Sequence, residues 1–224
     1  AFMQRALAAS LIVGVVCAVL GCYVVLRSLA FLGDALAHAI LPGVAVAYLL
    51  GVNLLAGALV AGLLVAIGIS VVTRTGAVRE DTAIGIFFAA ALALGVVLIS
   101  TMRAYAVDLT HILFGNVLGV SAGDLWTTGG IGVVVLSAVL LLYRQLLVVS
   151  FDPVLARTLG LPTQALQTGL FLLLALTIVV ALRTVGVGLV AAMLITPPAA
   201  AYLLTRRLPS MMAVSALIGV VSSV

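Results

Sequence analysis

The feature that most constrains this chain is a series of apolar runs, each about 20 residues long, that fill most of its length. Hydrophobic residues make up 66% of the 224 residues and charged residues 7%, and the mean hydropathy is +1.47. A helix of about 20 apolar residues crosses the hydrocarbon core of a bilayer, whereas a soluble domain of this size cannot bury so much apolar surface. The sequence therefore predicts an all-α, polytopic membrane helix bundle that forms one domain over residues 1–224.

The apolar runs predict about eight transmembrane helices. The segment 102–124 is too polar to span, and residues 150–167 are polar with a helical pattern. Because the chain starts without Met and stops within an apolar run, we expect it to be trimmed at both ends. The predicted spans are residues 6–26, 29–50, 54–72, 82–101, 125–147, 168–182, 185–204 and a last one from about residue 211.

The ten basic residues are all Arg, and they give a net charge of +4. They lie singly or in pairs between apolar runs, so membrane topology explains them better than nucleic-acid binding does. If residues 150–167 lie in the cytoplasm, seven Arg residues are inside and three are outside. The positive-inside rule then predicts an external N-terminal end. Cys17 and Cys22 lie in the first span without a paired motif, so we expect them to pack as small apolar residues.

The second predicted span contains a carboxylate and an imidazole four residues apart, Asp34 and His38. On a helix this spacing puts both side chains on one face. Ionisable groups at membrane depth usually face a pathway, and this pair is a plausible half-site for a divalent transition metal. The alternative is that Asp34 caps a helix start and His38 binds a neighbouring carbonyl. Pro42 and Gly43 follow closely and predict a kink.

The seventh predicted span contains Thr196, Pro197 and Pro198. Two prolines remove two donors from the helical ladder, which predicts a broken helix beside protein or a water-filled cavity. This segment is therefore a candidate gate or pathway wall. The alternative is a static kink that neighbouring helices fill.

Asp108 and His111 are three residues apart on the predicted external side. They are candidates for contact with incoming metal or with a delivering protein. The alternative is that they are ordinary polar residues of an exposed short helix. Since His38 and His111 are the only histidines, one chain cannot form a zinc cage from several His or Cys residues.

The sequence contains no G-x-x-x-x-G-K-[ST] phosphate loop and no H-E-x-x-H motif. No nucleophile–base arrangement is visible either. We therefore expect that this chain is not an enzyme and that its energy comes from a partner subunit or from an ion gradient.

Five segments carry a family resemblance. GDALAHAILPGVAVAYLLG resembles the signature of permease subunits of bacterial ABC importers for manganese, zinc and iron. REDTAIGIFF, HILFGNVLGVS, FDPVLARTLGLP and VGVGLVAAMLITPPAAAYLLTRR match in the same order, over most of residues 2–210. The resemblance implies the fold of the vitamin-B12/metal-chelate type of importer in a bacterial inner membrane. It also implies a homodimer, two ATP-binding subunits and an extracytoplasmic metal-binding protein.

The resemblance also implies roles for residues. Asp34 and His38 would line a transient metal site, with Pro42 and residues 196–198 along the pathway. HAILPG is closer to the manganese and iron branch than to the zinc branch, and an oxygen ligand with one imidazole suits manganese. We therefore expect manganese as the transported ion, with zinc or iron as further possibilities.

Residues 151–166 are expected to form a cytoplasmic coupling segment. Asp152 can cap a helix that has Pro153 at its first position, and Gly160 and Pro162 can end it. In the family that the chain resembles, this segment docks on the ATP-binding subunit. The residues implied in that contact are Asp152, Leu155, Ala156, Arg157, Leu159 and Gly160.

Two rival functions use the same residues differently. A proton-coupled secondary metal transporter would use Asp34 and His38 as a proton relay. A membrane scaffold without transport would leave the charged pair unexplained. The coupling segment separates the first rival from an ABC permease, because a secondary carrier needs no docking helix for an ATPase.

Overall fold

The computed structural model describes residues 2–74, 76–101 and 121–223, and all regular structure in these ranges is α-helical. The predicted all-α fold class is confirmed. In chain order the helices are α1 (Phe2–Leu26), α2 (Ala30–Ala39), α3 (Leu41–Leu49), α4 (Leu54–Thr73), α5 (Glu80–Ser100), α6 (Ala122–Leu141), α7 (Tyr143–Phe151), α8 (Pro153–Thr158), α9 (Thr163–Val185), α10 (Val187–Leu204) and α11 (Leu208–Ser222).

Seven helices in the described ranges are long and apolar enough to cross a membrane, when α2 and α3 are counted as one span. They correspond to the first seven predicted spans. The eighth predicted span corresponds to α11, an apolar helix of 15 residues that begins at Leu208.

Helix α1 is central and packs against α10, α11 and α6. In its apolar stretch 67% of the residues are buried, whereas 17% are buried in α5, which lies at the outside of the bundle. Cys17 and Cys22 are buried in α1 as free thiols, and the Cys22 thiol donates to the carbonyl of Ala18 at 3.2 Å. Their predicted role as apolar packing residues is confirmed.

The predicted kink in the second span lies at Ile40, which ends α2 and precedes α3. Pro42 then occupies the first turn of α3, where a missing N–H costs little. A side chain on Gly43 would meet the backbone carbonyl of Gly57, because α3 and α4 approach closely at this point. Small residues allow membrane helices to pack in this way.

The predicted boundaries on the cytoplasmic side need correction. Residues 163–167, which were expected in the polar coupling segment, form the first turns of the long helix α9. Polar side chains are tolerated in these turns because they bond locally or across helices: Thr168 bonds to the carbonyl of Gln164, and Gln167 to Glu80. The predicted span 125–147 also ends early, at Leu141, and α7 follows after Leu142.

The expected break at Thr196, Pro197 and Pro198 is wrong, because α10 continues through both prolines. Since Pro198 has no N–H, the carbonyl of Leu194 has no donor one turn later in its own helix. That carbonyl faces Gly21 of α1, where a side chain would lie 2.0 Å from its oxygen. Close packing against α1 accommodates the prolines, which are both buried.

Candidate functional site

Asp34 and His38 lie on one face of α2, as their spacing predicts. Nε2 of His38 is 3.5 Å from Oδ1 of Asp34. The His38 side chain is 29% exposed and that of Asp34 is 41% exposed, so the pair opens to the outside of this chain. An ion or a water molecule can therefore reach both atoms without a rearrangement of the helix.

The alternative structural roles for the pair are not observed. Asp34 is in the middle of α2, whose N-cap residue is Leu29 without a side-chain cap bond. Nδ1 of His38 is buried and has no hydrogen-bond partner among the described residues, so it does not bind a carbonyl. Neither helix capping nor a carbonyl bond explains why a carboxylate and an imidazole occur together here.

Aromatic rings surround the imidazole. The His38 ring meets the Phe88 ring of α5 edge to face, with centroids 5.7 Å apart. Phe88 in turn meets Phe31 of α2 in the same manner at 5.2 Å. These contacts restrict the orientation of the imidazole and exclude water from one side of it. The sequence did not reveal them, because Phe31 and Phe88 are 57 positions apart.

The described residues contain no group of three or more His, Cys, Asp or Glu side chains that could hold a metal ion. The pair therefore supplies one oxygen and one nitrogen, and any further ligands must come from elsewhere. Such a site favours an ion that binds transiently over one that is held permanently.

Helix α10 packs against the helix of the pair. A side chain on Gly33, the neighbour of Asp34, would lie 2.5 Å from Cδ2 of Leu194. Pro197 and Pro198 are buried, whereas Thr196 is exposed. Pro42 is buried at the start of α3, on the continuation of the same span. The residues that were expected along the pathway therefore belong to two helices that touch, α2–α3 and α10.

The coupling segment forms a short helix, α8, with the predicted cap. Oδ1 of Asp152 accepts hydrogen bonds from the backbone of Val154 and Leu155, both at 2.9 Å, and Pro153 is the first helical residue. Gly160 has φ +71°, in the left-handed region that favours glycine. Arg27, Arg79 and Arg157 line one polar pocket at this end of the bundle, together with Glu80 and Asp81. Which side of the membrane this end faces stays a prediction.

One residue of the expected docking surface is misplaced. Ala156 is fully buried against the chain itself, so it cannot contact a partner. The sequence analysis missed Phe151 and Val154, which are 65% and 69% exposed. Leu155, Leu159 and Gly160 are exposed as expected, and so are Asp152 and Arg157. The sequence gives no signal for the burial of Ala156, because α8 has only six residues and its buried side is set by the helices that pack against it.

The candidate external residues Asp108 and His111 lie outside the residues that the structure describes. Their expected contact with metal or with a delivering protein stays a prediction.

Sequence comparison places the chain in a family. The family model described as "ABC 3 transport family" matches residues 1–224. The manganese transport system membrane protein MntC of Halalkalibacterium halodurans is 52% identical over 223 residues, which cover 100% of this chain and 76% of that protein. The chelated iron transport system membrane protein YfeD of Yersinia pestis is 44% identical over 223 residues, with 100% and 75% covered.

Solved structures agree with the fold. PsaBC from Streptococcus pneumoniae, in complex with a Fab, matches with a TM-score of 0.84 and 42% identity, over 99% of this chain and 79% of that one. An inward-facing conformation of a putative metal-chelate type ABC transporter matches with a TM-score of 0.66 and 18% identity, over 95% and 73%. The second match confirms the predicted metal-chelate type of fold. The chain thus belongs to the ABC 3 transport family, as a multi-pass permease of the bacterial inner membrane.

Proposed function

We propose that this permease moves a divalent transition metal ion, manganese in the first place, into the cytoplasm, and that Asp34 and His38 bind the passing ion. The observation that carries the proposal is the contact of Asp34 Oδ1 with His38 Nε2 on the open face of α2. The manganese function that the name of the relative MntC records supports the choice of ion. The iron function recorded for YfeD keeps iron as a second possibility, with zinc as a third.

The geometry of the pair suits one shared ion. The two ligand atoms are 3.5 Å apart. An ion about 2.1 Å from both, the usual distance of zinc from imidazole nitrogen and carboxylate oxygen, would join them at an angle of about 110°. The two atoms are therefore close enough to bind one ion together. Nδ1 of His38 would then carry the proton and point away from the ion.

Two side-chain ligands bind an ion weakly, and weak binding suits a transported ion, which must also leave. Water, backbone carbonyls or the second permease copy would complete the coordination. A site with carboxylate oxygen and one imidazole is harder than a thiolate or multi-histidine site, which favours manganese over zinc.

A second copy of the permease would cover the open side of the pair. Helix α5 carries Phe88 next to His38, and 17% of its apolar stretch is buried within one chain. In a homodimer the pathway would run between two such surfaces, with Pro42 and residues 196–198 in its walls. An extracytoplasmic metal-binding protein would deliver the ion from outside.

Energy would come from two ATP-binding subunits that dock on α8. Phe151, Val154, Leu155 and Leu159 expose an apolar surface beside Arg157, at the end of the bundle where the Arg residues gather. Exposed apolar surface marks a contact with another protein or with the membrane, and the Arg residues beside it favour a position outside the membrane core. ATP would bind to the partner, because this chain has no phosphate loop.

The test is manganese uptake by the assembled transporter with Asp34→Asn and with His38→Ala. Asp34→Asn removes the charge that attracts a divalent cation, and His38→Ala removes the imidazole donor. Uptake per folded molecule should therefore fall by about tenfold or more in each variant. Membrane insertion of Asp34→Asn should not suffer, because loss of a charge lowers the insertion cost by about 2.5–3.5 kcal/mol at mid-membrane and by less nearer an interface. Asp81→Asn is the matched control, since Asp81 is exposed in the first turn of α5 at the cytoplasmic end.

Recovery from size-exclusion chromatography gives the folded amount. Near-normal uptake per folded molecule in both variants would contradict the assignment of the metal site. Uptake that persists without the ATP-binding subunit and follows a proton gradient would instead support a secondary transporter with the pair as a proton relay.

A further inference from the structure

The connection between α1 and α2 meets the helices α5 and α9 through one carboxylate, at the end of the bundle that carries α8. Oε1 of Glu80 accepts hydrogen bonds from Nη2 of Arg27 at 2.8 Å and from Nε2 of Gln167 at 2.6 Å. The Arg27 side chain is 8% exposed, and its guanidinium carbon lies 5.9 Å from the centre of the Phe171 ring. We call Arg27, Glu80 and Gln167 the Glu80 cluster.

The Glu80 cluster is costly to build, so stability alone does not explain it. The Arg27 side chain loses most of its hydration and that of Glu80, which is 28% exposed, loses part of it. Well-packed apolar residues often stabilise such a place equally well or better. Buried ionic groups can instead specify one arrangement of the surrounding elements. Two donors converge here on one oxygen of Glu80, which ties the α1–α2 connection and α9 to the start of α5.

The three residues connect the docking helix to the metal site. Gln167 lies in the second turn of α9, the helix that follows α8. Glu80 is the first residue of α5, and it shares a face with Phe88, which lies two turns further along and contacts His38. Arg27 precedes α2, which carries Asp34 and His38, and it adjoins Ser28, whose φ of +56° is strained for a residue other than glycine.

We propose that Arg27, Glu80 and Gln167 are positioning residues that transmit movement of α8, driven by the ATP-binding subunit, to the helices of the metal site. Gln167 passes a displacement of α9 to Glu80, and Glu80 passes it to α5 directly and to α2 through Arg27. The proposal rests on the proposed function, because it needs an ATPase docked on α8. It adds a defined mechanical connection between that ATPase and the Asp34–His38 pair.

The decisive variant is Gln167→Met in the complex with the ATP-binding subunit. Methionine keeps the length and flexibility of glutamine but removes the donor, so α9 loses its bond to Glu80 while the Arg27–Glu80 ion pair remains. The matched control is Gln164→Met on the same helix, because the Gln164 side chain has no hydrogen bond with the described residues.

The labelling rate of an introduced cysteine on α5 measures the movement of this helix without any metal. Ala89→Cys places a thiol next to Phe88 on the α5 surface that would face the pathway between the two copies, and the two native cysteines are buried, so they should react little. The labelling rate of this thiol is compared with and without ATP. We expect an ATP-dependent change in the otherwise native complex and in Gln164→Met. In Gln167→Met we expect the ratio of the labelling rates with and without ATP to approach one. This corresponds to an effect of ATP at least about fivefold smaller than in the otherwise native complex.

A second variant tests the bond itself. The exchange Glu80→Gln with Gln167→Glu restores an amide–carboxylate bond between α5 and α9, and it should recover part of the response. An unchanged ATP response in Gln167→Met would overturn the proposal, and so would an absent response in the otherwise native complex with the ATPase bound.

Loss of ATPase binding in Gln167→Met would show a role in assembly and would also overturn the proposal. Failure of the proposed function is recognised separately, as an absence of associated ATPase or of manganese uptake in the native complex.

Discussion

Gly21→Ala should destabilise the bundle, because Gly21 is where α1 and α10 approach most closely. A methyl group at this position would lie 2.0 Å from the carbonyl oxygen of Leu194 and 2.6 Å from Cγ of Pro198. Ordinary contacts between such atoms are about 3.5–4.0 Å, so the helices must separate by more than about 1 Å. A backbone carbonyl and a proline ring cannot move aside by changing rotamer.

Gly169→Ala is the matched control, because a methyl group there meets nothing within 4 Å. Both changes replace glycine inside a helix, so the gain of about 0.5–1 kcal/mol in helix propensity is common to both. The difference between the variants therefore isolates the overpacking cost, about 1–3 kcal/mol. For a chain of this size this corresponds to a Tm of Gly21→Ala about 5 °C below that of Gly169→Ala.

The assay is the fraction of monodisperse protein that remains after heating in detergent, measured by size-exclusion chromatography over a range of temperatures. Equal midpoints for the two variants would refute the contact between α1 and α10 as described. A lower midpoint for Gly169→Ala than for Gly21→Ala would refute it more strongly, because the sign itself would be reversed.

Two further predictions concern the cytoplasmic end and the topology. Leu159→Asp places a carboxylate on exposed apolar surface and should weaken association with the ATP-binding subunit by about tenfold or more. The control Ala165→Asp, in the exposed first turn of α9, should leave this association unchanged. Co-purification measures how much ATP-binding subunit each variant retains, and equal recovery with both variants would contradict the docking surface. Gly160 is not substituted, because any side chain there strains the backbone. Thr158→Cys should be labelled by a membrane-impermeant reagent only from the cytoplasm and Val52→Cys only from outside, and the reverse result would invert the topology.

The sequence was sufficient for the architecture, because hydrophobicity alone decides which segments cross a bilayer. It was also sufficient for the Asp34–His38 pair, since a helical spacing of four residues is a local property. The kink near Pro42 and the cap at Asp152 follow from local chemistry in the same way. Each of these features depends on residues that are neighbours in the chain.

Features that depend on distant residues were not predictable. The Glu80 cluster joins positions 27, 80 and 167, and no pattern in one sequence connects them. The sixth span was predicted to begin at residue 168, whereas α9 begins at Thr163. The reason is that a polar residue such as Gln167 is typical of a loop, unless its partner Glu80 is known. Ala156 was placed on the docking surface because the burial of one face of α8 depends on how the bundle packs around it. The unbroken course of α10 through two prolines depends in the same way on α1.

The open side of the Asp34–His38 pair must meet something other than lipid. The Asp34 side chain is 41% exposed and that of His38 29%. A carboxylate that faces hydrocarbon costs about 2.5–3.5 kcal/mol at mid-membrane and less nearer an interface. Beside this polar centre lies apolar surface, with Phe31 45% exposed and α5 mostly uncovered. An apolar rim around a polar centre is a surface that can pack against a second protein copy while it encloses water. A two-fold axis would bring the same face of the other copy opposite the pair, where that copy or the enclosed water can supply the ligands that one chain lacks.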